Sequence, residues 1–157
     1  DPGWRLPAPV MSDLGLVRYL GYADLPQAAA LRARLEAEQA AHLLHGVHLI
    51  VAQSADGSLV VGDSHHYDDL PGPFAPASAE ADILDEYARA TGQAPPPVLE
   101  RWTGVYASSD ERAFLVDAPE PGVRLVVVTS GTGASTGFGI AERVIGGLFD
   151  LNTETTA

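Results

Sequence analysis

The sequence predicts an α+β fold. The expected architecture is a mainly antiparallel sheet with flanking helices, followed by a C-terminal strand, glycine loop and helix. Three observations carry the prediction. Asp56-Gly57 stands between two strand-like runs, Val47–Gln53 and Ser58–Ser64, and Asp-Gly is a strong two-strand turn signal. Helix-forming stretches occupy residues 28–44 and 79–91, rich in residues that lose little freedom in a helix. Finally, Val123–Thr129 (VRLVVVT) is a nearly continuous β-branched run, followed at once by a glycine-rich loop and a third helical pattern.

The elements follow in order. Residues 1–13 hold three prolines and read as an extended entry segment. Leu14–Tyr22 (LGLVRYLGY) is apolar with one Arg and is expected as a strand. Asp24 reads as an N-cap with Pro26 in the first turn of a helix over Ala28–Leu44. Leu31 and Leu35 share one face of that helix, and Gly46 ends it. After the hairpin, His65–Ser78 is a loop with prolines at 71, 73 and 76. Ser78 is expected to cap a helix over Ala79–Thr91, with Ile83, Leu84, Tyr87 and Ala88 as its apolar stripe and Gly92 as its stop. Three prolines at 95–97 precede Val98–Ala107, read as a strand with alternating faces; Ala113–Asp117 is a short strand and Glu120-Pro121-Gly122 a turn.

The run 123–129 suits a strand buried on both faces in a parallel sheet. Ile140, Val144 and Leu148 then recur four apart on a helix, and a polar, frayed tail follows.

The chain has 157 residues, 46% of them hydrophobic and 19% charged, the profile of one folded soluble domain with a real core. Its net charge of −12 repels phosphate backbones and anionic lipid surfaces, so neither nucleic acid nor a membrane is expected as a partner. The absence of cysteine excludes disulfides, thiolate catalysis and Cys-ligated zinc. No stretch approaches the roughly 20 apolar residues of a membrane span. The chain opens on Asp1-Pro2-Gly3 rather than Met. It therefore reads as processed or cut from something longer, with any targeting signal lost, and a cytoplasmic location is expected.

A buried strand, a glycine-rich turn and a helix make an anion or dipole site, because the helix start presents free N–H groups and partial positive charge. Here the loop runs Ser130 to Gly137, with Gly131-x-Gly133 and the next glycine at 137. That third glycine comes one residue too late for a dinucleotide fingerprint, and no βαβ unit can follow so near the chain's end. On pattern alone, a structural turn and a ligand site both stay open.

The order of motifs adds to this. Trp102-Thr103-Gly104-Val105-Tyr106, then Asp110, then the run 123–129, then GTGASTGFGIAE from Gly131 to Glu142 resembles the C-terminal third of the D-amino-acid-oxidase-like flavoenzymes, which include sarcosine and glycine oxidases. Gly57–Tyr67 (GSLVVGDSHHY) also resembles that family's hairpin. The GDSHHY and GTGASTGFGIAE segments look most like a bacterial branch associated with phosphonate catabolism.

The resemblance implies FAD as cofactor and a small amine as substrate, related in that branch to aminoethylphosphonate. It divides the chain into a partial substrate-binding domain over 1–122, a strand, glycine loop and helix of an FAD-binding domain over 123–150, and a tail over 151–157. An N-terminal FAD-binding region of the same protein would be the partner that completes the sheet. Gly131, Thr132, Gly133, Ala134, Ser135 and Thr136 would line the pyrimidine edge of the flavin, and Thr136 could also cap the helix. His65, His66, Trp102 and Tyr106 would line the substrate pocket. Trp102 and Tyr106 read equally as sheet packing.

One departure from the family pattern matters. Amino-acid-oxidising members carry an Arg after the tryptophan that grips the substrate carboxylate. This chain has Tyr106 near that place, which puts an ordinary α-amino acid substrate in doubt; Arg18 and Arg101 remain as anion partners.

Other constellations are weaker. Asp63, His65, His66, Asp68 and Asp69 form a dense polar group, which reads as a pocket wall or a solvated loop. A metal is not expected, because adjacent histidines point apart in a strand. His42, His45 and His48 have no carboxylate close in sequence and read as structural. No nucleophile-elbow pattern supports a serine hydrolase. As part of an intact flavoenzyme, the chain would help oxidise a C–N bond, with no activity expected of it alone. The alternative is an isolated structural or small-molecule-binding module; a metal-dependent enzyme built on residues 63–69 is a weaker third reading.

Overall fold

The computed structural model describes residues 1–67 and 72–151. The chain forms two compact units, Asp1–Thr103 and a second from Gly104 onward. The class is α+β, helices beside two small antiparallel sheets.

The sheet of the first unit has the order β1 (Val10–Met11), β2 (Ile50–Gln53), β3 (Leu59–Val61). The Asp56-Gly57 hairpin forms as its sequence predicts, pairing Val51 with Val61 and Gln53 with Leu59. Asp56 closes the turn by accepting from the Ser58 N–H at 2.9 Å. Strand alternation sends Leu49 and Val51 inward, both 0% exposed, and Ile50 outward.

Leu14–Tyr22 is not a strand. It forms a 3-10 helix over Asp13–Val17 and a short helix α1 over Leu20–Ala23. Leu14 and Val17 are three apart, one turn of such a helix, so both reach the core on one face. Helix α2 (Ala28–Glu38) starts after a turn in which Ala28 N–H donates to the Leu25 carbonyl, with Gln27 rather than Asp24 at the cap. Buried Gln39, with φ −141°, then separates α2 from α3 (Ala40–Leu44), although no Gly or Pro marks the break. Helix α4 (Ala77–Thr91) starts one residue before Ser78. Pro76 stands at its cap with φ −63°, an angle its ring fixes. Gly92, at φ 68°, ends α4 as expected.

Two apolar clusters make the core. Leu14, Val17, Leu35 and Val47 form one, with Leu31 and Leu43 against it. Leu49, Val51 and Tyr87 form the other, backed by Trp4, Leu6, Leu59 and Val61. Ile83 packs on both and joins them. Each such side chain contributes about 1.5–3 kcal/mol on leaving water.

The segment 98–107 forms no strand. Its two alternating faces are both mixed in character, with Leu99, Trp102 and Val105 largely exposed, so no single apolar face sets a register.

In the second unit, β4 (Phe114–Asp117) pairs antiparallel with β5 (Leu125–Val128). The predicted turn closes with Val123 N–H on the Glu120 carbonyl at 3.1 Å. Helix α5 (Gly133–Leu148) turns Ile140, Val144 and Leu148 toward Val126 and Val128 across a shallow groove. The expected burial of 123–129 on both faces is not met in this chain. The pairing is antiparallel and Leu125 and Val126 are exposed, because one helix can cover only one face of a two-stranded sheet. Among the described residues, no helix is long and apolar enough to cross a membrane.

Candidate functional site

The first unit gathers its polar side chains at the open end of the hairpin, and an irregularity in the ladder places them. Gly62 N–H bonds the Ile50 carbonyl, but the next backbone pair joins Asp63 to His48, at 2.9 and 3.1 Å. Three residues on one strand therefore face two on the other. The extra residue is Leu49, whose carbonyl accepts instead from Ser12 N–H at 3.2 Å. This is a β-bulge, a feature that re-aims side chains. It sets His48 beside Asp63, with Nδ1 3.7 Å from the carboxylate.

His65 approaches the same carboxylate with Nε2 at 3.6 Å. Its backbone N–H donates to the His45 carbonyl at 3.0 Å. Its position depends on Gly46, which has φ 55° and would carry a Cβ only 2.7 Å from the His65 carbonyl oxygen. Arg18, just beyond the 3-10 helix, brings Nη1 to 2.8 Å of His65 Nδ1 and donates from Nη2 to the Tyr67 hydroxyl. Its guanidinium carbon lies 5.7 Å from the ring centroids of both Tyr19 and Tyr67. Tyr19 Oη is 3.3 Å from His48 Nδ1. The other edge of His48 lies against Gly15, where a Cβ would come within 3.0 Å of the ring.

The electrostatics follow from burial. His48 is pushed below its ordinary pKa by desolvation, with Arg18 and His65 adding to the shift and Asp63 opposing it. His65 is lowered in the same way, by burial first, then Arg18 and His66, against Asp63 and the Gly46 carbonyl. Both imidazoles are therefore neutral near pH 7. A neutral His65 accepts Arg18 on Nδ1 and turns its Nε2–H toward Asp63. In that tautomer it cannot also donate to the Gly46 oxygen, 3.1 Å from the same Nδ1.

His42 and His45 do have acidic neighbours, supplied by α4 rather than by their own segment. His42 Nε2 is 3.1 Å from Asp85 and 4.0 Å from buried Glu86, and His45 is 3.8 Å from Asp82. The sequence reading missed Arg18, Tyr19, His48 and Tyr67 as one group. The signal available was the hairpin register, which places residue 48 near residue 63 or 64.

Of the residues expected to line the pocket, His65 is central to this cluster. His66 is exposed and packs edge-on against His45, with centroids 5.5 Å apart. Trp102 is 72% exposed and belongs to the first unit, while Tyr106, 54% exposed, belongs to the second. Asp63 is in the cluster; Asp68 and Asp69 lie outside the described residues. No three His, Asp or Glu side chains among the described residues stand close enough to hold a metal ion.

The glycine loop lies in the second unit. Gly131 has φ 72°, where a side chain would be strained, and a Cβ there would meet nothing. Thr132 is the N-cap, so Gly133, Ala134, Ser135 and Thr136 belong to the first turn of α5. Thr136 does not cap the helix: its hydroxyl and its N–H both donate back to the Thr132 carbonyl, at 2.9 and 3.0 Å, one turn below it. The first-turn amides of Gly133 and Ala134 precede the helical ladder, and Gly131, Ala134, Ser135 and Thr136 are exposed.

A family model described as FAD dependent oxidoreductase matches residues 16–145. No curated protein and no solved structure matches the chain. The family match takes in the histidine–arginine cluster, the hairpin and the glycine loop, and the chain belongs to the FAD dependent oxidoreductase family.

Proposed function

We propose that this chain is the substrate-side and C-terminal portion of an FAD-dependent enzyme that oxidises a C–N bond of a small amine. The observation that carries the reading is the family match over residues 16–145, together with an exposed glycine loop at the start of a 16-residue helix. The residues present fit a flavin edge. Gly131 leaves room for close approach, and the amides of Gly133 and Ala134, with the positive end of α5, would hold negative charge there. Bound FAD supplies the acceptor for a hydride leaving the carbon next to a neutral amine, and the resulting imine hydrolyses. The chain's own contribution would be to orient the amine. Tyr106 carries no charge, which favours amines other than simple α-amino acids, including aminophosphonate-related ones.

Anaerobic bleaching of the flavin tests this. Protein containing this chain and loaded with FAD is mixed with sarcosine, glycine and N-alkylated aminoethylphosphonate. Loss of the oxidised flavin band with release of a carbonyl product is the expected result. A spectrum unchanged by every amine would overturn the reading.

A further inference from the structure

We infer that the Asp56-Gly57 turn is a latent site of backbone isomerisation, where aspartate converts to isoaspartate, and that hydrogen bonds with Ser54 and Ser58 keep it in the ordinary linkage while the chain is folded. The inference rests on the geometry of this turn and is independent of the flavin chemistry proposed above.

Asp-Gly occurs once in the chain and Asn-Gly not at all. The pair is chemically vulnerable because glycine puts no side chain in the way of its own amide nitrogen. That nitrogen can bond to Asp56 Cγ. The amide proton and the carboxyl hydroxyl leave together as water, and a five-membered succinimide closes. Water then opens the ring. Attack at the Cγ carbonyl restores aspartate. Attack at the former main-chain carbonyl leaves Gly57 joined through Cγ, which is isoaspartate. Nothing is oxidised or reduced, and the mass is unchanged.

The fold restrains both reacting groups. Gly57 N–H donates to the Ser54 carbonyl at 3.0 Å. Gly57 is buried at φ 92°, and a Cβ there would collide with the Asp1 carboxylate. Arg5 holds that carboxylate with two hydrogen bonds of 2.8 Å. The attacking amide is therefore tied and covered. On the other side, Asp56 Oδ1 accepts from the Ser58 N–H at 2.9 Å and from the Ser58 hydroxyl at 2.7 Å. These bonds fix the carboxylate toward residue 58 and hold it below the ordinary carboxylate range. It stays an anion, whose oxygen cannot leave as water. Ring closure requires all three bonds to be given up, so opening of the turn gates the chemistry.

Conversion would act on the hairpin. It adds one carbon to the main chain between residues 56 and 57, beside the register that pairs Gln53 with Leu59 and Val51 with Val61. Gln53 Nε2 also donates to the carbonyls of Gly57 and Trp4, both at 3.0 Å. A lengthened turn would loosen the register together with the packing of Trp4 and Leu6 on Leu49, Val51 and Tyr87.

The test ages the full chain at one pH and temperature, folded and in guanidinium chloride. Isoaspartate at residue 56 is followed by electron-transfer fragmentation of the peptide that spans it, which separates the two linkages at equal mass. The unfolded chain should convert about tenfold or more faster than the folded one. Ser58→Ala should raise the folded rate about tenfold, whereas Ser58→Thr, which keeps both donors, should not. Asp56→Glu, whose ring would need six members, should stay unconverted. No isoaspartate in denaturant, or equal rates folded and unfolded, would overturn the inference. Ser58→Ala ageing at the wild-type rate would overturn the protective role of that serine. The folded and unfolded wild type need no variant, so their comparison decides even if Ser58→Ala does not fold. The converted chain, isolated by ion exchange, should exchange its β2–β3 amides about tenfold faster than the unconverted one. Unchanged exchange would overturn the consequence for the hairpin.

Discussion

The two units use similar residues to different ends. In the first, Leu35, Leu49, Val51 and Tyr87 are 0% exposed and three-dimensional packing surrounds them. In the second, Gly146 is the one buried residue among those described, and Phe138, Ile145 and Phe149 are exposed. Both contain an antiparallel hairpin and a helix with an apolar stripe. The first adds further helices, and Leu49 and Val51 at its sheet are fully buried with Tyr87 of α4. The described residues of the second hold one hairpin and one helix, a size at which burial is marginal. A rigid side-chain cluster such as that around Arg18 requires the first kind of support, whereas a backbone site at a helix start requires only the helix.

This contrast can be broken most directly by truncating side chains. Leu35→Ala or Tyr87→Ala should destabilise the first unit by about 2–5 kcal/mol. Phe138→Ala, at a side chain 92% exposed, should change stability by less than about 0.5 kcal/mol. Denaturant unfolding followed by hydrogen exchange measures both, and equal costs would erase the distinction. Amides of the β2–β3 hairpin should also exchange more slowly than those of β4–β5.

A smaller effect sharpens the link between backbone and site. Gly46→Ala meets both a positive φ of 55° and a backbone oxygen 2.7 Å away, and should cost about 1–3 kcal/mol. The His65 ring resonances should move with it. A Gly46→Ala protein with normal stability and unmoved resonances would show that the approach to His65 is not required.

The smallest effect is pH dependence. His48 and His65 are held below the ordinary value of 6.5 in the folded chain. As pH falls, the unfolded histidines take up protons first. Stability from this source is therefore complete above the ordinary value and is lost as pH falls through the folded values. Melting temperatures between about pH 7.5 and pH 5.5 should decline in the wild type and decline less in His48→Gln. Parallel declines would remove these histidines as the cause.

Much of the local structure was legible in the sequence. The Asp56-Gly57 hairpin, the Gly92 helix stop, the Glu120–Val123 turn and the Ile140–Val144–Leu148 stripe each depend on neighbouring residues. Their outcome needs no distant partner. Leu14–Tyr22 misled because an apolar run does not state its own period; the three-residue spacing of Leu14 and Val17 became decisive only once both had a core to enter. Val98–Ala107 misled for the opposite reason: a strand requires an edge to pair with, and sequence alternation cannot supply one.

The sequence by itself determined the α+β class, the hairpin turn and the helical pattern that follows the glycine loop. Tertiary structure decided which polar groups meet. Uninterrupted alternation across the hairpin would set His48 opposite Ser64, but the bulge at Leu49 sets it against Asp63. Arg18, 47 residues before His65 in the chain, arrives beside it. A one-residue change in ladder register and the closure of a long loop both depend on how distant segments pack, and local propensity carries no record of either.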